Sequence, residues 1–237
     1  MLTDLHCHLL WGIDDGPETS DGSLAIANLL VSLGFGTVAA TPHALPQFAD
    51  RKACAERLGE LAHLLAQEGV PLELAMGAES RLDEDFLERE LAGAGLHYGV
   101  TRYALVEAPF DTVVPALPDI LFRLSRKGVR PVLAHPERCA EFQQLERAEQ
   151  AVRLGAALQL DLGSLAGTYG RQAKKVALAL LEAGLYSIAA TDVHEAGGAR
   201  KWLPEGMAEL EKRAGRSVFE RLLGENPARL LRGEELV

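Results

Sequence analysis

The chemistry open to this chain rests on its scattered acids and imidazoles: Asp4, His6, His8, Asp15, His43, Glu79, Glu107, His135, Asp192 and His194. They are far apart in sequence, yet nearly all close a short apolar run that reads as a strand. Carboxylates and imidazoles gathered at one end of a barrel or sheet make a metal site. A metal site with an open coordination position makes an enzyme.

The first run is Leu2-Thr3-Asp4-Leu5-His6-Cys7-His8-Leu9. Side chains alternate faces along a strand, so Asp4, His6 and His8 are expected on one face and Thr3, Leu5, Cys7 and Leu9 on the other. Two imidazoles at i and i+2 can reach one ion, and Asp4 could orient an imidazole from behind. A lone His-x-His is more often a pair of satisfied histidines; acids at other strand ends reverse that reading. Asp14-Asp15-Gly16-Pro17 suits either a plain turn or a loop in which one aspartate binds metal. His43 ends the second run, Glu79 the third and Glu107 the fourth, and carboxylates can bridge two cations. The fifth run leads into His135-Pro136-Glu137-Arg138, where Arg138 could clamp an anion with a fork of donors. Asp192 and His194 again share a face, and Arg200, beyond Gly197-Gly198, is a second candidate clamp. His63, in a helical stretch, and His97, ahead of a strand without an acidic companion, read as structural.

These groups must be positioned by a repeating scaffold. Seven runs read as strands: Leu2–Leu10, Thr37–His43, Leu72–Glu79, Tyr103–Glu107, Pro131–His135, Ala157–Leu162 and Tyr186–Thr191. Helical spacing lies between them, as in Val113, Val114, Leu117, Ile120, Leu121 and Leu124 with Asp111 as a plausible cap. Gly34, Gly69, Gly128, Gly155 and Gly184 each close a helical stretch before a new apolar run. This rhythm implies β–α units and parallel strands, in a barrel or an open wound sheet, with active groups at the carboxyl ends. The part from Pro204 onward reads as helical, with Asn226 as a cap and Pro227 in the first turn. One domain over residues 1–237 is expected.

Composition narrows the function. The 237 residues carry a formal net charge of -10, which disfavours nucleic acid as a partner. No apolar run approaches the ~20 residues of a membrane span, and no signal peptide is visible, so a cytoplasmic protein without membrane insertion is expected. Cys7, Cys54 and Cys139 are too few and too widely spaced for a disulfide framework, and Cys7 reads as a small buried hydrophobe. No cysteine is followed six residues later by arginine (the positions hold Ile13, Glu60 and Leu145), so thiolate phosphoryl transfer is not supported.

Together these segments resemble the PHP family, the polymerase and histidinol phosphatase superfamily of metal-dependent phosphoesterases. The matching stretches are Asp4-Leu5-His6-Cys7-His8, Thr41-Pro42-His43, Gly77-Ala78-Glu79, Val106-Glu107, Ala134-His135-Pro136-Glu137-Arg138 and Asp192-Val193-His194. Within it, Gly12-Ile13-Asp14-Asp15-Gly16-Pro17, Leu162-Gly163-Ser164-Leu165-Ala166-Gly167 and Glu225-Asn226-Pro227-Ala228-Arg229-Leu230-Leu231 are similar to the bacterial manganese-dependent tyrosine phosphatases of capsule and exopolysaccharide operons. The resemblance implies a distorted seven-stranded (β/α) barrel. It implies a three-metal site of His6, His8, Asp15, His43, Glu79, Glu107, His135, Asp192 and His194. Its ions would be Mn²⁺, with Fe or Zn as alternatives that the donor types do not separate.

The expected activity is that of a phosphomonoesterase, in which activated water attacks phosphorus in line while Arg138 and Arg200 neutralise phosphoryl oxygens. His43 or His194 could assist a poorer leaving group. The expected substrate is a phosphotyrosine protein, by the resemblance the tail of a bacterial tyrosine kinase. Rivals are the same chemistry on histidinol phosphate or a sugar phosphate, and a non-catalytic partner of the kinase. Homo-oligomerisation is not legible in the sequence.

Overall fold

The computed structural model describes residues 1–44 and 51–237. In chain order the elements are β1 (Leu2–Cys7), α1 (Ser20–Ser32), β2 (Phe35–Ala40), α2 (Arg51–Gln67), β3 (Glu73–Met76), β4 (Glu79–Arg81) and α3 (Glu84–Ala92). Next come β5 (Tyr103–Glu107), α4 (Leu117–Arg126), β6 (Arg130–Ala134), α5 (Leu145–Arg153), β7 (Ala157–Asp161), α6 (Leu162–Ala166) and α7 (Gly170–Glu182). The chain closes with β8 (Tyr186–Ala190), α8 (Ala196–Ala214), α9 (Arg216–Glu220) and α10 (Asn226–Leu231).

The architecture is α/β with parallel pairing throughout, in a three-stranded sheet β1-β2-β3 and a five-stranded sheet β4-β5-β6-β7-β8. Two isolated parallel bridges join the sheets, Cys7 with Val193 and His43 with Glu79. The expected third run, Leu72–Glu79, is two strands, because the chain breaks at Gly77-Ala78. A Cβ on Gly77 would stand 2.8 Å from the Tyr98 ring and 3.0 Å from Thr41 Cγ2, so only glycine permits that close passage. The described residues therefore hold eight strands where seven runs were legible.

Two apolar layers flank the strands. Leu5, Ala39, Leu105, Val132, Ala134, Ala157 and Ile188 pack together on one side. Val38, Ala40, Ala104, Val106, Leu133, Leu158 and Ala189 face the helices on the other. The expected alternation of β1 fails at one point. Asp4 is in register with Val38 and Cys7 with Ala40, so β1 spends one residue more than β2. This bulge turns both Leu5 and His6 toward the side of Ala39 and takes Asp4 off the face of His6.

All five glycines expected to end helices have φ between 66° and 96°, the left-handed conformation that a helix terminus favours. Other local expectations are corrected. Helix α4 begins at Leu117, with Ala116 at its cap and Pro118 in the first turn, so Asp111 does not cap it and Val113 and Val114 precede it. Asn226 has helical φ and does not cap α10 either. Its amide donates to Ser187 O and Val237 O at 2.7 and 2.8 Å and accepts from Val237 N, pinning the end of the chain. No disulfide joins the cysteines, and Cys7 is fully buried as a small hydrophobe. Among the described residues no helix is long and apolar enough to cross a membrane.

His63 lies exposed on α2. His97 has a structural partner: Nε2 stands 2.8 Å from Glu90 Oε2 and Nδ1 2.9 Å from Thr101 O. The bond to Glu90 raises its pKa above the ordinary value. A raised folded-state pKa gives stability that is present below the unfolded value of about 6.5 and lost as pH rises through the folded value. Replacement of His97 by Ala is expected to cost on the order of 1 kcal/mol at pH 6 and less at pH 9. Urea midpoints at the two pH values check it; equal losses would contradict the pairing.

Candidate metal centre

The strands deliver the candidate residues to one end. His6 lies within β1 and His8 just past it; His43, Glu107, His135, Asp192 and His194 sit at or beyond the carboxyl ends of β2, β5, β6 and β8. Glu79 opens β4, directly after the break at Gly77. Backbone bonds lock these ends together: Asp192 N donates to His6 O, His8 N to Val193 O and Glu79 N to Pro42 O. His135 (φ 32°) and Asp192 (φ 52°) are the only non-glycine residues with positive φ among those described. Such strain persists where surrounding structure over-determines it, often at functional sites.

The nine residues converge in overlapping groups of donors. In the first, His6 Nε2 and His8 Nε2 face each other at 3.3 Å. Glu79 Oε2 lies 3.3 and 3.5 Å from them, and Asp192 Oδ1 lies 3.2 and 3.5 Å away. In the second, His135 Nε2 is 3.1 Å from Glu79 Oε1 and 3.6 Å from Glu107 Oε2. In the third, Asp15 Oδ1 is 3.4 Å from His43 Nε2 and 3.3 Å from His194 Nε2. Glu79 thus offers one oxygen to the first group and the other to the second, the posture of a bridging carboxylate.

The imidazoles are aimed from behind. His6 Nδ1 stands 2.9 Å from Gln159 Oε1 and His8 Nδ1 2.7 Å from Asp14 Oδ2. Both partners accept hydrogen bonds, so Nδ1 carries the proton in each ring and Nε2 presents a lone pair. His194 is held likewise, with Nδ1 3.0 Å from Asp192 O. Two imidazole lone pairs thus stand between two carboxylate oxygens: His6 and His8 gather with Glu79, and His6 gathers with His135 and Asp192, the donor atoms of each set lying within 4.8 Å of one another. Two donors roughly 2.1 Å from one ion, at tetrahedral or octahedral angles, stand roughly 3.0–3.4 Å apart. The observed spacings match that, so the donor set fits a cation.

The electrostatics agree. Burial opposes charge on His6, but Glu79 and Asp192 outweigh it and raise its pKa; His8 is raised further, with Asp14 the strongest partner against burial. Burial likewise opposes charge on Glu79 and Asp192, yet His6 and its neighbours hold both carboxyls below the usual range. Buried anions of this kind attract positive charge, which a cation supplies as well as protons do. Glu107 goes the other way, raised by burial and by Glu79. Burial and the charge of His8 lower His194, which favours a lone-pair role for it over a proton-donating one.

Arg138 stands one carboxylate away. Its Nη1 donates to Asp192 Oδ2 at 2.6 Å and to Asp161 Oδ2 at 3.2 Å. Arg200 is placed differently, exposed on α8 with no hydrogen bond or ion pair to the site among the described residues. Asp4 is also elsewhere: it accepts from Thr191 N, Thr191 Oγ1 and His6 N and touches no imidazole, so it fixes the junction of β1 with β8. The orienting groups that sequence reasoning missed are Gln159 and Asp14. Gln159 did leave a signal, as a lone amide in the apolar run Ala157–Leu162. Replacing it by Leu is expected to weaken binding of a divalent cation about 10- to 100-fold without unfolding the chain. Metal titration with circular dichroism checks this; unchanged affinity would remove Gln159 from the site.

Comparison with known proteins follows the same line. A family model described as capsular polysaccharide synthesis, CpsB/CapC, matches residues 2–232. The chain is 35% identical to the tyrosine-protein phosphatase YwqE of Bacillus subtilis, over 99% of this chain and 93% of that protein. It is 24% identical to the tyrosine-protein phosphatase CpsB of Streptococcus pneumoniae, over 97% of this chain and 98% of that protein. A solved structure from work on YwqE of B. subtilis and CpsB of S. pneumoniae, described as unique metal-dependent tyrosine phosphatases, superposes with a TM-score of 0.92. It is 33% identical and covers 100% of this chain and 96% of that one.

Proposed function

The chain belongs to the CpsB/CapC family of capsular polysaccharide synthesis, and from that premise we propose that it is a metal-dependent protein-tyrosine phosphatase. The observation that carries the reading is the convergence of His6 Nε2, His8 Nε2, Glu79 Oε2 and Asp192 Oδ1, with both rings fixed from behind. The proposed ligands are His6, His8, Asp15, His43, Glu79, Glu107, His135, Asp192 and His194.

Bound divalent cations supply Lewis acidity, lowering the pKa of water and offsetting charge on a phosphoryl group. The chain's own residues do the rest. Arg138 spends Nη1 on Asp161 and Asp192, and its other N–H groups have no hydrogen bond to protein among the described residues. They are the donors for phosphoryl oxygens, whose charge shifts toward the leaving group in the transition state. Asp192 ties this clamp to the metal ligands by one carboxylate. A phenolate leaves readily, so no strong general acid is required, and His43 and His194 serve as ligands.

The proposal includes manganese as the metal, three ions per chain, a bacterial tyrosine kinase tail as substrate, the cytoplasm as compartment and one domain over residues 1–237. Four overlapping groups of donors, sharing His6, His8, Glu79 and His135, support a site for more than one ion, and the family's link to capsule synthesis supports the substrate. It also includes one distorted seven-stranded barrel. The two bridges complete a circuit β1-β2-β4-β5-β6-β7-β8, with β3 and β4 as halves of one strand split at Gly77. The test of substrate class is kcat/KM of the Mn²⁺-loaded protein on a phosphotyrosine peptide against histidinol phosphate. Preference for the peptide is expected; preference for histidinol phosphate would favour the small-molecule rival.

A further inference from the structure

Two aromatic rings flank Arg138. The Tyr169 ring centroid lies 4.0 Å from its guanidinium carbon and the Phe110 centroid 4.9 Å. Both rings line an open cleft of about 510 Å³ that Arg138 shares with Gln143 and Gln172. Their surroundings differ. Tyr169 packs close over Gly163, where an added Cβ would stand 2.9 Å from its ring. Phe110 follows β5 on the loop after Glu107, is 46% exposed and joins neither apolar layer. Its ring lies 5.6 Å from that of His135, between a candidate metal ligand and the anion clamp. Of the exposed large apolar side chains described, only Phe110 and Tyr169 make ring contact with Arg138.

The carbon skeleton of a phosphate ester starts one oxygen away from phosphorus. With the phosphoryl group on Arg138 and the metal ligands, an aryl ester places its ring within the roughly 4.5–7 Å over which aromatic pairs attract. We propose that Phe110 is a specificity-determining residue whose open face receives the aryl ring of the substrate, while Tyr169 is a positioning residue that holds the plane of Arg138. An alkyl phosphate has no ring to place there and gains nothing from Phe110. The inference rests on the phosphatase reading and names what that site selects.

The test is calorimetric binding of phenylphosphonate and methylphosphonate, neither of them hydrolysed, to the Mn²⁺-loaded full chain. The wild type is expected to prefer phenylphosphonate. Phe110→Ala should lose about 3- to 10-fold of that preference with methylphosphonate binding unchanged, and Phe110→Trp should keep it. The proposal is overturned if the wild type shows no preference, if Phe110→Ala keeps it, or if that variant weakens both ligands alike. Turnover of a phosphotyrosine peptide reports separately on the parent reading. A Phe110-dependent preference without turnover would sink the phosphatase and leave the ring slot standing; turnover without such a preference does the reverse.

Discussion

Replacement of Asp192 by Asn is expected to lower kcat/KM for a phosphotyrosine peptide by about 10³-fold or more and to reduce bound metal. Its two oxygens do different work. Oδ1 faces His6 and His8 Nε2 at 3.2 and 3.5 Å, while Oδ2 accepts from Arg138 at 2.6 Å. The amide keeps the size but removes the charge that both cation and guanidinium answer to. Asn also tolerates the left-handed φ of 52° better than Ala does, so it separates lost chemistry from lost backbone geometry. The measurements are steady-state kinetics and metal content of the purified variant, with circular dichroism as a check on folding. If the chain were only a docking partner of a kinase, kinase binding would survive and there would be no activity to lose. Near-wild-type turnover would remove Asp192 from the site.

The second large effect is expected from Arg138→Lys. Kcat should fall about 10²- to 10³-fold, the usual cost of losing an oriented donor to a developing anion, with metal content unchanged. Lysine keeps the charge but not the planar fork, and its ammonium cannot bond Asp192, stack between Phe110 and Tyr169 and present donors to a ligand together. Burial opposes the charge of Arg138, but Asp161 and Asp192 more than offset it, so the group stays protonated at every working pH. The guanidinium itself therefore adds no pH dependence to the defect between about 6 and 9. A loss mainly in KM with kcat intact would show that Arg138 binds ground state and transition state alike.

Most of the ligand candidates were legible because they close an apolar run, and a β–α repeat sends such ends to one side; Asp15, in the Asp-Asp-Gly-Pro loop, was not separated from Asp14 by that pattern. The glycine rhythm was legible for a similar reason: helix ends demand left-handed φ, and glycine meets that demand with least cost. Other features depended on contacts between distant segments. The bulge that removes Asp4 from the face of His6 is a matter of register with β2, and no period-2 reading of β1 alone reveals it. The break at Gly77 is set by Tyr98 and Thr41, neither adjacent in sequence. Gln159 reaches His6 across 153 residues. Asp111 and Asn226 are residues that cap helices well in isolation, but here the helix starts elsewhere or the side chain is taken by the chain end. Arg138 and Arg200 look alike in sequence, and only the fold separates the half-buried, doubly paired one from the exposed one.

The most direct measurement is phosphate release from a phosphotyrosine peptide by metal-stripped protein, with and without added Mn²⁺. Release that is absent after stripping and restored by Mn²⁺ is the predicted result. Release that persists undiminished in the stripped protein, or none under either condition, would contradict a metal-dependent tyrosine phosphatase.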